Sequence, residues 1–490
     1  MGIESMRVKD VQVGLRRKEF SDVELVKAYL DRMKRHDKNV KAMITICEEE
    51  ALEQAAQVDK KIADGKSIKW MEGVPTGLKD NICTRGIRTT CASKMLMDFE
   101  PPYDAGVVEK LKKEGLVILG KYNMDEFAMG SSNENSAFYP TRNPWNLDYV
   151  PGGSSGGSAA GLAAGFATVT YGSDTGGSIR MPASFCGVVG VKPTYGTVSR
   201  YGLIAFGSSL DQIGSFGKNV EDAACALKVI QGHDPKDATS REKGYDKDYV
   251  SIMKKGVKGL RIGLPEEFFG KGVDPEVRNS VLEGAKQLEK EGAIVSSFSL
   301  PIPESGLSAY YIISSAEASS NLGRYDGIRF GYSASHCDDY QERVISSRTE
   351  GFGNEVKRRI MLGTYALSSG YYEAYYNKAM MFRRKVRKLF QDAFERYDAI
   401  LTPTVPVLPF KIGEKLGDPL SMYLADIFTV SVNLAGIPAI SMPSGFSKSG
   451  LPIGLQLMGN EFSEETLFRL AYALEKELAL DKKPIAMEVV

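Results

Sequence analysis

Apolar positions follow the periodicity of an α-helix in the first part of the chain. Between residues 20 and 65, Val26, Tyr29 and Met33 recur at helical spacing behind Ser21, which can cap a helix. A second, more highly charged helical stretch follows them. The pattern predicts a layer of helices over residues 1–65.

From Gly73 onward, short apolar runs alternate with amphipathic stretches. Residues 116–119 are an apolar run of the length of a buried strand, and residues 260–264 predict another strand. Residues 439–458 contain two more that can pair as a hairpin. Strands that alternate with helices predict an α/β fold whose sheet is covered on both faces. Residues 305–396 are helical and aromatic instead, which predicts a helical insertion.

Composition narrows the class of protein. No repeat or long linker divides the chain, so we expect residues 1–490 to form a single domain. The sequence has 62 basic and 62 acidic residues, and a chain without net charge lacks the positive field that holds nucleic acid or an anionic membrane. Six cysteines without C-x-x-C spacing are too sparse for a disulfide framework. We expect a protein of the cytoplasm or of an organelle interior, without a membrane partner.

Glycine and serine are concentrated in one segment. Eleven of the 50 glycines lie between residues 152 and 190. Within it, residues 152–158 and 172–180 place serines among glycines, which permit unusual backbone angles. Backbone N–H groups in such turns can converge on an anion, either a phosphate or the oxyanion of acyl transfer. This segment is therefore the first candidate for a functional site.

Two familiar motifs match parts of the chain but have the wrong surroundings. Residues 115–121 match G-x-x-x-x-G-K, yet Tyr122 follows in place of Ser or Thr, and the variable positions form an apolar run. Residues 152–156 match G-x-S-x-G, yet residues 146–151 before them are not an apolar strand. A phosphate loop and an α/β-hydrolase nucleophile turn are both disfavoured.

A serine nucleophile needs a base, and histidine is scarce. The chain has only His36, His233 and His336, and the last two lie in polar contexts typical of surface turns. A histidine triad or a histidine metal site is therefore disfavoured. A lysine whose pKa is lowered by burial can act instead, and Lys79 lies between apolar residues on a strand-like stretch. On composition alone, an ordinary lysine at a strand edge is by far the favoured interpretation.

Three motifs together resemble the amidase signature family. They are G-V-P-T-G-L-K-D-N-I with Lys79, P-G-G-S-S-G-G-S with Ser154, and S-D-T-G-G-S-I-R-M-P-A-S with Ser178, in the order that the family has them. The resemblance implies a large mixed β-sheet covered by helices on both faces, with residues 73–215 as the signature core. Thr197, outside the catalytic motifs, stands where the family pattern leads us to expect arginine.

The resemblance implies a mechanism and its residues. Ser178 would attack the side-chain amide carbon of glutamine, while Ser154 would relay the proton to neutral Lys79. The peptide bond between Gly153 and Ser154 would be cis. The backbone N–H groups of the oxyanion hole would come from Ser178 and from Thr175, Gly176 and Gly177.

Glutamine also needs groups for its α-carboxylate and α-ammonium. By resemblance, Arg359 would hold the carboxylate and Asp426 the ammonium. Ser131 and Tyr310 are further candidates for the substrate pocket. Arg358 competes with Arg359, because adjacent residues of a helix point in different directions and only one can face a pocket.

Residues 355–364 and 418–423 narrow the resemblance to the glutamine-hydrolysing subunits of tRNA-dependent amidotransferases. Such a subunit releases ammonia from glutamine for the conversion of Glu-tRNA(Gln) to Gln-tRNA(Gln), and in some complexes of Asp-tRNA(Asn) to Asn-tRNA(Asn). The resemblance implies a heterotrimer with subunits B and C. It implies no metal or cofactor in this chain, since ATP, magnesium and the mischarged tRNA would bind the partner subunit. A stand-alone amidase and a non-catalytic scaffold remain as alternatives.

Overall fold

In the computed structural model, which describes residues 2–245, 247–480 and 482–484, eleven strands join one sheet. The strands are β1 (Met43–Ile46), β2 (Pro75–Lys79), β3 (Val117–Tyr122), β4 (Val169–Asp174), β5 (Val189–Lys192), β6 (Gln212–Gly217), β7 (Arg261–Pro265), β8 (Ile294–Phe298), β9 (Ala399–Pro403), β10 (Ala439–Phe446) and β11 (Pro452–Met458). Their order in the sheet is β1-β3-β2-β4-β6-β5-β10-β11-β9-β7-β8.

The sheet is mixed, as the family resemblance implies. Strands β3, β2 and β4 are parallel neighbours near one edge, and β9, β7 and β8 are parallel neighbours at the other. The strands between these two groups are antiparallel. The predicted hairpin is β10 and β11, and it joins the two halves because β10 pairs with β5 and β11 with β9.

Helices cover both faces of this sheet. Strands β2, β3, β4 and β9 are buried at every residue, and successive residues of a strand point to opposite faces, so the predicted α/β architecture is confirmed. The helices are α1 (Val8–Arg17), α2 (Asp22–Val40), α3 (Glu48–Ala63), α4 (Gly106–Glu114), α5 (Gly156–Ala163), α6 (Arg180–Cys186), α7 (Val220–Ile230), α8 (Tyr249–Ile252), α9 (Pro275–Lys290), α10 (Pro303–Asn321), α11 (Tyr340–Gly351), α12 (Asn354–Leu367), α13 (Lys378–Arg396), α14 (Pro419–Leu424), α15 (Val430–Ala435) and α16 (Glu464–Leu478).

The N-terminal layer holds three helices and one strand. Ser21 caps α2 as predicted, and Glu24 completes a capping box by accepting from the Ser21 backbone N–H. The prediction of helices alone over residues 1–65 is wrong in one respect, because β1 lies between α2 and α3 and pairs with β3 at the edge of the sheet. Four residues are too few to show a strand period.

The predicted helical insertion corresponds to α10–α13. Helices α10 and α12 pack closely, since a side chain on Gly363 of α12 would collide with the backbone of Ser315 in α10. The same region positions part of the candidate site. All six cysteines are buried and unpaired, and no helix in the described part of the chain is long and apolar enough to cross a membrane.

Candidate active site

Lys79 is the last residue of β2, and its side chain is completely buried. Its Nζ lies 2.7 Å from Ser154 Oγ, 3.0 Å from Ser173 Oγ and 3.3 Å from the Ser173 carbonyl oxygen. Burial lowers the pKa of Lys79 to about 7, although nearby carboxylates, Asp125 foremost, act in the opposite direction. The lysine is therefore not an ordinary residue at an exposed edge. It is available in its neutral form near neutral pH.

Ser154 is held in place by the backbone on both sides. The peptide bond between Gly153 and Ser154 is cis, as expected. A side chain on Gly153 would collide with the Asp125 carboxylate and would lie 2.7 Å from the backbone nitrogen of Ser132. The Ser154 carbonyl oxygen accepts a hydrogen bond from the Asp125 backbone N–H at 3.3 Å. Only glycine fits before this serine, so the hydroxyl stays against Lys79.

Ser178 lies in the loop between β4 and α6. Its carbonyl oxygen accepts from the Ser155 backbone N–H at 3.1 Å, so the two serine-bearing loops are joined through their backbones. Ser178 is 7% exposed. Its hydroxyl makes no hydrogen bond to any residue that the structure describes, which leaves it free to meet a substrate.

A buried carboxylate network shapes the Ser178 loop. Asp174 accepts from Arg180 Nε at 3.1 Å and Nη2 at 3.0 Å, and from Asn433 Nδ2 at 2.9 Å. It also accepts from the backbone N–H groups of Gly177 and Ile179. Burial alone would raise the pKa of Asp174, but Arg180 and the other donors outweigh it and lower that pKa to about 2. Sequence reasoning missed this pair, although one acidic and one basic residue six positions apart flank Ser178 in an otherwise uncharged segment.

The same loop carries the four backbone N–H groups that were expected to form an oxyanion hole, and one of them is already bonded within the protein. The backbone N–H groups of Thr175, Gly176 and Ser178 have no hydrogen-bond acceptor within the described ranges. The N–H of Gly177 differs, because it donates to Asp174 Oδ1 at 2.9 Å and so holds the loop. A side chain on Gly176 would lie 2.5 Å from the Tyr310 hydroxyl oxygen, so only glycine allows this tyrosine to approach.

Asp426 follows α14 and is 8% exposed. Its Oδ2 accepts from Ser131 Oγ at 2.7 Å and from the Tyr311 hydroxyl at 3.0 Å. Burial raises the pKa of Asp426 to about 6. Sequence reasoning named Tyr310 and missed Tyr311; Tyr310 packs on the Ser178 loop, whereas Tyr311 contacts the carboxylate.

Arg359 lies on α12 and is 3% exposed. Its Nε donates to Glu355 Oε1 at 2.7 Å, and its Nη1 is buried with no acceptor among the described residues. The rings of Tyr311 and Tyr423 lie 4.4 Å and 4.8 Å from its guanidinium carbon. The side chain of Arg358 is 43% exposed, so the structure favours Arg359 as the inward residue.

The residues around Lys79 and Ser154 and those around Arg359 and Asp426 both adjoin the Ser178 loop. Thr429 Oγ1 donates to the carbonyl oxygen of Gly176 at 2.5 Å, and the Thr429 backbone N–H donates to the carbonyl oxygen of Asp426 at 3.0 Å. Tyr310 joins the same loop from α10. The structure thus brings together the lysine, both serines and the four predicted pocket residues.

The residues of the disfavoured histidine site and phosphate loop have other contacts than those of the candidate active site. His233 and His336 are exposed, as their sequence contexts predicted, and His336 faces Glu350 at 3.4 Å. Lys121, the lysine of the G-x-x-x-x-G-K match, lies in β3 and donates to the Ile82 carbonyl oxygen at 2.7 Å. In the described part of the chain, none of these residues forms a hydrogen bond with Ser178, Ser154 or Lys79.

The chain is similar to known proteins over nearly its whole length. A family model described as Amidase matches residues 24–468. One relative, from Alkaliphilus metalliredigens, is named as the A subunit of glutamyl-tRNA(Gln) amidotransferase. It is 61% identical to this chain over 99% of this chain's length and 98% of its own.

Solved structures are also similar to this chain over nearly its whole length. The crystal structure of the A subunit of glutamyl-tRNA(Gln) amidotransferase from Thermotoga maritima is 46% identical, with a TM-score of 0.81 over 97% of this chain and 95% of that one. Native peptide amidase from Stenotrophomonas maltophilia is 30% identical, with a TM-score of 0.82 over 98% of each chain. The family match spans Lys79, Ser154 and Ser178. The chain belongs to the amidase family.

Proposed function

We propose that this chain is the glutamine-hydrolysing subunit of an amidotransferase that converts Glu-tRNA(Gln) to Gln-tRNA(Gln). The observation that carries the proposal is the buried contact of Lys79 with Ser154, beside a Ser178 hydroxyl that is free for substrate. Arg359 and Asp426 next to this centre support an amino acid amide as the substrate. The names of the relatives at 61% and 59% identity support the same assignment.

In the proposed reaction, the Ser178 hydroxyl attacks the side-chain amide carbon of glutamine. Ser154 takes the proton from Ser178 and passes its own to neutral Lys79. The N–H groups of Thr175, Gly176 and Ser178 stabilise the negative oxygen, and removal of one such donor typically costs about 10² to 10³ in rate.

The carbon–nitrogen bond then breaks. The leaving nitrogen takes a proton from Lys79 through Ser154 and departs as ammonia. Water attacks the resulting ester of Ser178 and gives a proton to Lys79 by the same route. As the ester bond breaks, that proton returns to Ser178 Oγ, which releases glutamate and regenerates the free serine and the neutral lysine. The lysine thus serves as base and acid in turn, which suits a pKa near the working pH.

The pocket supplies the selectivity in this proposal. Arg359 binds the α-carboxylate and Asp426 the α-ammonium, with Ser131 and Tyr310 at the sides. Burial strengthens both charge pairs, because water does not screen them. A stand-alone amidase is the second candidate, supported by the similarity to a peptide amidase; a non-catalytic scaffold would not require the lysine–serine contact.

The ammonia is used elsewhere in the proposed complex. Subunits B and C complete a heterotrimer, and the partner subunit binds ATP, magnesium and the mischarged tRNA. The formal net charge of zero supports this division, since phosphate binding needs basic side chains. The complex acts in translation, in the cytoplasm or an organelle interior, with Asp-tRNA(Asn) as a second substrate class to be tested.

The test is release of ammonia from glutamine by the chain alone and with its partner subunits, ATP and charged tRNA. Ser178→Ala should reduce the rate by at least about 10⁴-fold, because the nucleophile is gone. Ser158→Ala is the matched control, a buried serine of α5 that bonds the Tyr171 carbonyl oxygen and should keep activity. Retained activity in Ser178→Ala, or no glutamine hydrolysis by the complete complex, contradicts the proposal.

A further inference from the structure

A buried carboxylate lies beside Arg359 and takes no part in the reaction above. Glu355 is in the first turn of α12, where the helix dipole favours a negative charge, and it is 9% exposed. Its Oε1 accepts from Arg359 Nε at 2.7 Å and from the Tyr423 hydroxyl at 2.8 Å. Its Oε2 pairs with Arg358. Both oxygens are therefore engaged.

Two aromatic rings fix the plane of the Arg359 guanidinium. Tyr311 and Tyr423 stack at a centroid distance of 4.1 Å and an angle of 27°. The guanidinium carbon lies within 5 Å of both ring centroids, at 4.4 Å and 4.8 Å, close enough for cation–π attraction. Glu355 binds both Arg359 and Tyr423. This one carboxylate therefore fixes the position of the guanidinium and of one of the rings that pack on it.

The remaining edge of the guanidinium lacks an anion. With Nε bound to Glu355, the terminal nitrogens are left for a ligand, and Nη1 is buried without an acceptor among the described residues. A buried donor without an acceptor costs free energy, which a ligand carboxylate would recover in a paired geometry. Arg358, Glu355 and Arg359 together carry a charge of +1, so the cluster still attracts an anion.

We propose that Glu355 is a positioning residue that aims Arg359 at the α-carboxylate and so restricts the substrate to amides with a free carboxylate. The inference rests on the proposed function. It differs from a role in the chemistry, because Glu355 contacts neither serine nor Lys79 in the structure. Its loss should therefore weaken binding of glutamine and leave the hydrolytic residues intact.

The experiment compares the wild-type chain with Glu355→Gln, each assembled with its partner subunits. The amide keeps the shape of the side chain but loses the charge that holds Arg359. We expect KM for glutamine to rise about 10- to 100-fold, the range of one charge-assisted hydrogen bond, with kcat within about threefold. Glu283→Gln is the matched control, since it removes the same charge from an exposed carboxylate of α9 that pairs with Lys286, and it should change KM less than about threefold.

A second measurement separates positioning from general damage. Methanesulfonyl fluoride reacts with activated serines and carries no carboxylate, so its rate of labelling Ser178 should be the same in wild type and Glu355→Gln. An unchanged KM, or a labelling rate that falls together with kcat, overturns the inference. Absence of glutamine hydrolysis in wild type instead contradicts the proposed function, and the two failures are distinguishable.

Discussion

The loop of Ser178 and the pocket of Arg359 meet at one site but are constructed differently. The loop comes from one short segment, and Asp174 at its start is fully paired within the protein, by donors of that segment and by Asn433 from outside it. The pocket combines side chains as far apart as Ser131 and Asp426, which are 295 positions apart, and it contains a buried Arg359 nitrogen without an acceptor among the described residues. The carboxylate that holds the loop is fully paired within the protein, whereas the arginine of the pocket is not fully paired in the described part of the chain.

The largest effect that tests this contrast is expected from Lys79→Ala. It removes the proposed base but leaves the pocket, so kcat should fall about 10² to 10⁴-fold with KM little changed. Steady-state rates of ammonia release give kcat and KM separately and so test this prediction. Lys121→Ala is not a suitable control because that lysine is also buried; Lys228→Ala, which removes an exposed lysine, should keep full activity.

The same lysine sets the expected pH dependence. Lys79 acts as a base only when neutral, and its pKa is lowered to about 7, so kcat/KM should rise with pH up to about 7 and then level off. Below pH 7, kcat/KM should fall by up to about tenfold per pH unit. The fall should be steeper below pH 6, because Asp426 also takes up protons there. A rate that is flat between pH 5 and 8 would contradict Lys79 as the base.

A stability test probes the loop. Asp174→Asn leaves Arg180 buried without its partner charge and should lower the free energy of unfolding by about 3 to 5 kcal/mol. Since the pKa of Asp174 is lowered to about 2, its stabilisation is present above about pH 4 and is lost as the pH falls towards 2. Denaturant titration measures the free energy of unfolding. Asp392→Asn, which breaks the exposed pair with Lys388, should change the free energy of unfolding far less.

The smallest of these effects is expected from Asp426→Asn in the pocket. Loss of the charge should raise KM for glutamine about 10- to 100-fold, while the unfolding free energy changes little because Ser131 and Tyr311 can still donate to the amide oxygen. Asp418→Asn, at the exposed start of α14, is the control. A large fall in stability with unchanged KM would make Asp426 a structural residue like Asp174, and the contrast between loop and pocket would disappear.

Local patterns made much of the fold and the centre of the site predictable. The β10–β11 hairpin, the Ser21 cap and the alternation of helices and strands each depend on residues near one another in sequence. Lys79 and the two serines were found through contiguous motifs with glycines that leave room for close backbone contacts.

The parts that sequence reasoning missed depend on long-range contacts. Tyr311 was passed over for its neighbour Tyr310, because the direction of each side chain on α10 is set by packing against α12 and the Ser178 loop. Glu355 looked like any charged residue of a helix, since only the fold shows that Tyr423 and Arg359 share its oxygen. The edge strand β1 was missed because its four residues are too few to show a strand period, and only its pairing with β3, over seventy residues away, defines it.

The central hairpin also determines when the chain can fold. Strands β10 and β11 are near the end of the sequence but lie in the middle of the sheet, between β5 and β9. A chain still being synthesised has two half-sheets with open edges until residues 439–458 have emerged, and such edges favour aggregation. A fragment that stops after Asp426 would contain every proposed catalytic and pocket residue, and we still expect it to aggregate rather than retain partial activity.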